Sequence, residues 1–257
     1  DNGMGVGLTM SVTSAGIVTD VNFDTGMGTI GLGTGQDSAV DSMDGSPACF
    51  SLNACGSALS GKTGGAGVYD DGDTKSGNSI KYSNSIAGIN FAVTRGMEVD
   101  SVAAVAASTA TDPLTVGSAA TEGYDAVMSY AAGTSIMGAT VKAGVSQIDY
   151  KGTTADVDPS FVTVAYSIAG LNLGYALYDS DNGMEETQMG VGTSAMGMNV
   201  GVTFAEKDFT TDTDYMRVSL SKGMGAASFG LDYTETDEAG GTANDTDVWN
   251  FMYVVGF

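Results

Sequence analysis

Trp249-Asn250-Phe251-Met252-Tyr253-Val254-Val255-Gly256-Phe257 ends the chain, and its alternation decides the fold. Trp249, Phe251, Tyr253, Val255 and Phe257 share one parity and are bulky. Asn250, Met252, Val254 and Gly256 share the other and are smaller and partly polar. Successive side chains of a strand point to opposite faces, so period two with one greasy side spells a β-strand.

The same alternation runs upstream. Leu171, Leu173, Tyr175 and Leu177 alternate with Asn172, Gly174, Ala176 and Tyr178. Met198, Val200, Val202 and Phe204 alternate with Asn199, Gly201, Thr203 and Ala205. Met216, Val218 and Leu220 alternate with Arg217, Ser219 and Ser221. Fourteen such segments cover 4–14, 16–24, 27–34, 77–86, 89–97, 123–132, 138–150, 160–169, 171–179, 186–194, 198–207, 212–222, 226–235 and 247–257. Short turns such as Ala169-Gly170 alternate with longer polar loops such as 179–185 and 236–246. That order describes an up-and-down antiparallel meander.

Composition narrows the function classes. The 257 residues include 31 acidic and 9 basic ones and no histidine, for a formal charge of −22. So acidic a chain lacks the basic face that nucleic acid requires. Without histidine there is no Ser-His-Asp triad, no Cys-His pair and no His-ligated zinc, so no enzyme is expected. Apolar residues at 42% in a strict pattern exclude disorder, and the 38 glycines have no collagen period. No stretch reaches the length of a membrane-spanning helix. The chain opens Asp1-Asn2-Gly3, without a basic-plus-apolar leader.

Two architectures compete for the meander. A soluble, secreted acidic β-rich surface or adhesive protein would bury its apolar faces and put charge on the opposite ones. Here the opposite faces are mostly Gly, Ser, Thr, Asn and Ala. A transmembrane barrel has that pattern, apolar toward lipid and small or polar toward water. Strands of about ten residues, tilted, also span a bilayer.

Three stretches carry a resemblance to the Gram-negative general porins, particularly those of alphaproteobacteria. The terminal Trp249–Phe257 strand resembles the family's C-terminal strand; this implies Tyr253, Val255 and Phe257 as the signal for barrel assembly. Gly77-Asn78-Ser79-Ile80-Lys81-Tyr82-Ser83-Asn84-Ser85-Ile86-Ala87-Gly88 is similar to the strand and turn that follow the porin constriction loop. Gly28-Thr29-Ile30-Gly31-Leu32-Gly33-Thr34-Gly35 is similar to the strand that enters it. The resemblance implies an all-β transmembrane barrel of the 16-stranded type, with 1–257 as one domain and 36–76 as its constriction loop. It implies passive diffusion of small hydrophilic solutes and ions, a homotrimer, and the outer membrane of a Gram-negative bacterium. In the family that loop follows strand five; here it follows the third segment. The chain is therefore expected to cover strands 3–16, with fourteen strands in all as the alternative.

The site residues follow. Asp37, Asp41 and Asp44 recur at spacings of four and three, with Asp70, Asp71 and Asp73 later in the same loop. On the resemblance these carboxylates narrow the pore and favour cations; on spacing alone they suit a solvated helix face. Lys81, Lys142 and Arg217 fall on the small-polar parity and are expected to line the lumen, or only to balance acids such as Asp125 and Asp232. Arg95 falls on the apolar parity near a strand end and is expected to snorkel. Cys49 and Cys55 suit a small disulfide loop, with two free thiols as the other reading. Asp179, Asp181 and Glu185 lie in a stretch one residue short of an EF-hand loop. A loosely bound Ca²⁺ competes there with plain loop acidity; no other cofactor is expected. Gly56–Thr63 matches the phosphate-loop pattern GxxxxGK(S/T), but without the strand before it and helix after it that phosphate binding needs.

Overall fold

The computed structural model describes residues 7–12, 18–33, 38–40, 42–43, 79–97, 124–150, 156, 158–179, 181, 185–208, 212–225, 227–238 and 246–255. They form fourteen strands: β1 Gly7–Val12, β2 Val18–Asp24, β3 Thr29–Gly33, β4 Ser79–Ile86, β5 Ile89–Gly96, β6 Tyr124–Ile136 and β7 Ala139–Tyr150. There follow β8 Ser160–Ile168, β9 Leu171–Asp179, β10 Glu185–Ala195, β11 Met198–Asp208, β12 Thr213–Met224, β13 Ala227–Glu238 and β14 Thr246–Val255. Each strand pairs antiparallel with its neighbours in sequence, in the order β1 to β14. β1 and β14 are the outer strands of this order, and no ladder joins them among the described residues.

The strands fall where the alternation places them. The largest difference is β6, which runs four residues past its expected end, through Gly133-Thr134-Ser135-Ile136. Small residues blur the alternation there, and pairing with Ala139–Lys142 of β7 extends the strand.

Turn chemistry sorts the two ends of the sheet. Ala87-Gly88, Met137-Gly138, Ala169-Gly170 and Met196-Gly197 are two-residue turns with positive φ at both positions, 51–55° at the first and 72–83° at the glycine. These are type I′ values, whose twist matches that of the flanking strands. β12 reaches β13 through Gly225 and the next residue, and β2 reaches β3 through 25–28, closed by Thr25 N–H and Oγ1 donating to Gly28 O at 3.0 and 2.7 Å. All six short turns lie at one end. The strand ends that flank the longer segments 13–17, 34–78, 98–123 and 151–159 are at the other.

Burial is inverted relative to a water-soluble protein. Trp249, Phe251 and Tyr253 are 66%, 72% and 58% exposed. On the same outer face Leu171, Leu173, Tyr175, Met189, Val200, Phe204 and Val218 are exposed too. The opposite face buries Thr94, Ser129, Ser146, Thr163, Gln188, Thr203, Arg217, Ser219 and Ser221. Each large apolar side chain left in water forgoes about 1.5–3 kcal/mol of transfer free energy, so a continuous outer belt of them calls for an apolar solvent.

The belt has sharp edges. Toward the long-loop end the outward row changes from apolar to acidic within two residues: Leu177 to Asp179, Phe204 to Glu206, Met216 to Asp214, Tyr233 to Glu235, Trp249 to Asp247. Tyr233 and Trp249 pair directly across β13 and β14, ring centroids 4.8 Å apart. The Tyr233 hydroxyl donates to Asp247 Oδ1 at 3.0 Å, so the ring lies in the belt and its polar tip reaches the carboxylates above. Between Asp214 and Lys222 the outward residues of β12 are Met216, Val218 and Leu220. Those charges are roughly 27 Å apart along the strand, or about 19–22 Å along the membrane normal at a tilt of about 35–45°, somewhat short of the ~25 Å apolar band of outer-membrane barrels.

A charge in the middle of this belt is expected to oppose insertion. Val218→Arg should destabilise the folded protein in vesicles by about 2–4 kcal/mol. Asn90→Arg, on the inward parity where the side chain is exposed, should cost far less. Urea titration read by the folded band on cold gels measures both, and equal losses would contradict the assignment of faces.

Candidate functional site

The candidate site is the inner face and the chain that crosses it. Ser38–Val40 lie on the inward side of β5 to β9. Ser38, Ala39 and Val40 are fully buried. Ala39 and Val40 pack with Ala92 of β5, Ala131 of β6, Phe161 of β8, and Ala176 and Tyr178 of β9, with Met43 against the cluster. Ala39 N–H donates to Ser129 Oγ at 2.9 Å, a contact between residues 90 apart in sequence. Ser42 N–H donates to Ser38 O at 3.1 Å and Met43 N–H to Val40 O at 2.8 Å.

Room for this seat comes from a missing side chain. A Cβ at Gly144 would collide with Phe161 Cε1 and meet Tyr130 O at 3.0 Å. The Phe161 ring lies across β7 where that strand has no side chain to hold it off.

Sequence reasoning did not single out these seat residues. The legible signal was parity. Phe161 and Tyr178 are bulky aromatics on a face that is mostly small and polar. An aromatic out of phase in a half-polar strand needs an apolar partner on that side, and Ala39 and Val40 supply it.

Among inward residues whose side chains are described, Asp20, Asp24, Glu186 and Asp232 stand against Lys81, Lys142, Lys207 and Arg217; Glu238, described in its backbone alone, adds a fifth acid by register. Lys81 lies between Gly31 and Thr94 in register, half-buried. Lys142 lies between Gly133 and Thr163, and a Cβ at Gly133 would come within 3.0 Å of its Cγ. Arg217 is buried, and its Nη2 meets Asp232 Oδ2 at 3.0 Å. Glu186 and Lys207 face each other across β10 and β11, both buried, and Gln188 Nε2 donates to Glu186 Oε1 at 2.6 Å. Buried charges are tolerated when so paired. Arg95 is exposed on the outer face, opposite Ile80 and Met128, near the long-loop end of β5.

The remaining candidates divide. Asp37, Asp41, Asp44, Asp70, Asp71 and Asp73, both cysteines, the Gly56–Thr63 motif and Phe257 lie outside the described residues. Tyr253 is outward and exposed; Val255 is described in its backbone alone. Asp179, Asp181 and Glu185 do not converge. Asp179 Oδ1 accepts from Asp181 N–H at 2.8 Å, and Asp181 Oδ2 accepts from Asp158 N–H at 2.9 Å. Two of these carboxylates thus fasten loop backbone, and among the described residues no three acidic or cysteine side chains are placed to hold a metal.

Comparison with known proteins gives one answer at two levels. Among solved structures, a porin matches with TM-score 0.61 and 14% identity, covering 96% of this chain and 90% of its own. A mutant of Rh. blastica porin matches with TM-score 0.60 and 15% identity, covering 96% and 88%. Salmonella typhi OmpF, solved in complex with daunomycin, matches with TM-score 0.58 and 11% identity, covering 85% and 70%. At such identities the likeness is one of fold. No curated protein matches by sequence. The family model for Gram-negative porins matches residues 1–254, and with that match the chain belongs to the Gram-negative porin family, channels of the outer membrane.

Proposed function

We propose that this porin admits small hydrophilic solutes and ions by passive diffusion, prefers cations, and works as a homotrimer with 36–76 as its constriction loop. The observation that carries this reading is the seat of Ser38–Met43 on the inner wall. A loop that enters the lumen and is held there by an apolar cluster and a buried hydrogen bond narrows the passage. Solutes are then sorted by size and charge, and no bond is broken.

The cation preference has a definite source. The described wall is nearly balanced, five acids by register against four bases, and Arg217–Asp232 and Glu186–Lys207 are paired within it. The chain as a whole carries −22. Its excess therefore lies elsewhere, in the acidic loop segments and at the outward row above the belt. A negative mouth over a nearly balanced wall raises the local cation concentration through the potential rather than through binding, so the preference should weaken as salt shortens the Debye length. The homotrimer rests on the family resemblance and on the apolar outer belt, which suits barrel-against-barrel packing as well as lipid. The soluble, secreted reading fails against the family match and against that same exposed belt.

Reversal potentials in a KCl gradient across planar bilayers test the selectivity. A K⁺ preference that declines toward unity at high salt is expected, and a Cl⁻ preference would contradict it.

The constriction has a separate test. Phe161→Ala removes most of the apolar seat and Ser129→Ala removes its hydrogen bond. Single-channel conductance is expected to rise and become noisier in both variants, more in Phe161→Ala, with the folded fraction retained. Unchanged conductance in both would mean that Ser38–Met43 does not set the aperture.

A further inference from the structure

Four of the six short turns at the one end of the sheet place methionine beside glycine: Gly26-Met27-Gly28, Met137-Gly138, Met196-Gly197 and Met224-Gly225. Their side chains are 67%, 95%, 93% and 51% exposed. Met137 and Met196 occupy the first position of a type I′ turn with φ of 52° and 55°. Asn, Asp and Gly suit that backbone, and a long unbranched side chain gains nothing from it. Nor does packing explain them, since an exposure above nine-tenths leaves almost no contact. Methionine ordinarily fills irregular gaps in cores. Here it is held out into water.

A thioether in water has one distinctive chemistry, two-electron oxidation to the sulfoxide. We infer that Met137 and Met196, followed by Met27 and Met224, are oxidant-accepting modification sites for hydrogen peroxide at the short-turn rim. The sulfur lone pair attacks one peroxide oxygen, the S–O bond forms and the O–O bond breaks. The displaced oxygen leaves as water after proton transfer. Sulfur loses two electrons and peroxide gains them. Because neither side chain packs, the sulfoxide costs the fold nothing, unlike oxidation at Met43 in the loop seat. The inference extends the diffusion reading in one respect. Short turns of outer-membrane barrels face the periplasm, so a small uncharged solute such as peroxide that passes the pore would meet this rim as it leaves.

Peptide mapping by mass spectrometry, on the protein in phosphatidylcholine vesicles exposed to hydrogen peroxide over time, tests the assignment. Met137 and Met196 are expected to oxidise at the rate of a free methionine peptide and about tenfold faster than Met43, with Met27 and Met224 between them. Conductance and folded fraction should not change, and Met137→Leu with Met196→Leu should remove the fast phase. Rates at Met137 and Met196 no faster than at Met43 would overturn the inference. Met189, 54% exposed in the outer belt, separates the two readings. If it oxidises as fast as Met137 while Met43 lags, the belt is not covered by lipid and the membrane reading falls, but the turn methionines keep their assignment.

Discussion

A bilayer core offers no partner to a backbone N–H or C=O. That constraint organises the rest of the molecule. Each unsatisfied backbone group in hydrocarbon costs several kcal/mol, so a chain without long apolar helices can cross only as strands paired on both sides. The antiparallel ladder pairs β2 to β13 on both sides, with two-residue turns that lose no register at one end, and pairs β1 and β14 on one side among the described residues. Where the ladder satisfies the backbone, the side chains need only obey their parity. Odd and even positions answer to different solvents.

The two solvents then dictate two compositions. Facing lipid, Leu171, Val200, Phe204, Val218 and Phe251 meet their own kind and stop abruptly at a row of carboxylates. Facing inward, the small residues leave space, and the larger ones that intrude have specific roles. Arg217 is anchored by Asp232, Glu186 faces Lys207, and Phe161 and Tyr178 receive the chain between β3 and β4. The net charge of −22 acquires a location from this sorting. It is nearly absent from the belt and nearly cancelled on the wall, which leaves the loops and the upper rim to carry most of it.

Nearly all of the strand pattern was legible in the sequence, because period two is a direct consequence of backbone geometry. The terminal Trp249, Phe251 and Tyr253 needed no structure to be placed on one face. β6 extended past its expected end because Gly133-Thr134-Ser135 offers no alternation to read, while ladder pairing with β7 does not depend on it. The loop seat was not read at all. Its contacts join residues up to 90 apart, Ala39 to Ser129, and local periodicity contains no information about which loop fills which wall. The only trace was Phe161 and Tyr178 out of phase. The acidic stretch 179–185 was open for a related reason. Spacing left a loosely bound Ca²⁺ and plain loop acidity side by side, and it could not show that Asp179 and Asp181 each accept from a backbone amide nearby.

The central claim is that the outer face meets lipid, and the chain carries its own probe for it. Trp249 is the one tryptophan of the 257 residues, exposed on the belt two residues from the carboxylate of Asp247. Its fluorescence can be recorded in vesicles that contain brominated phospholipids, and again in unbrominated vesicles with iodide in the water. Strong quenching by shallow bromines with little by iodide is the expected result. Strong quenching by iodide with none from brominated lipid would contradict the account.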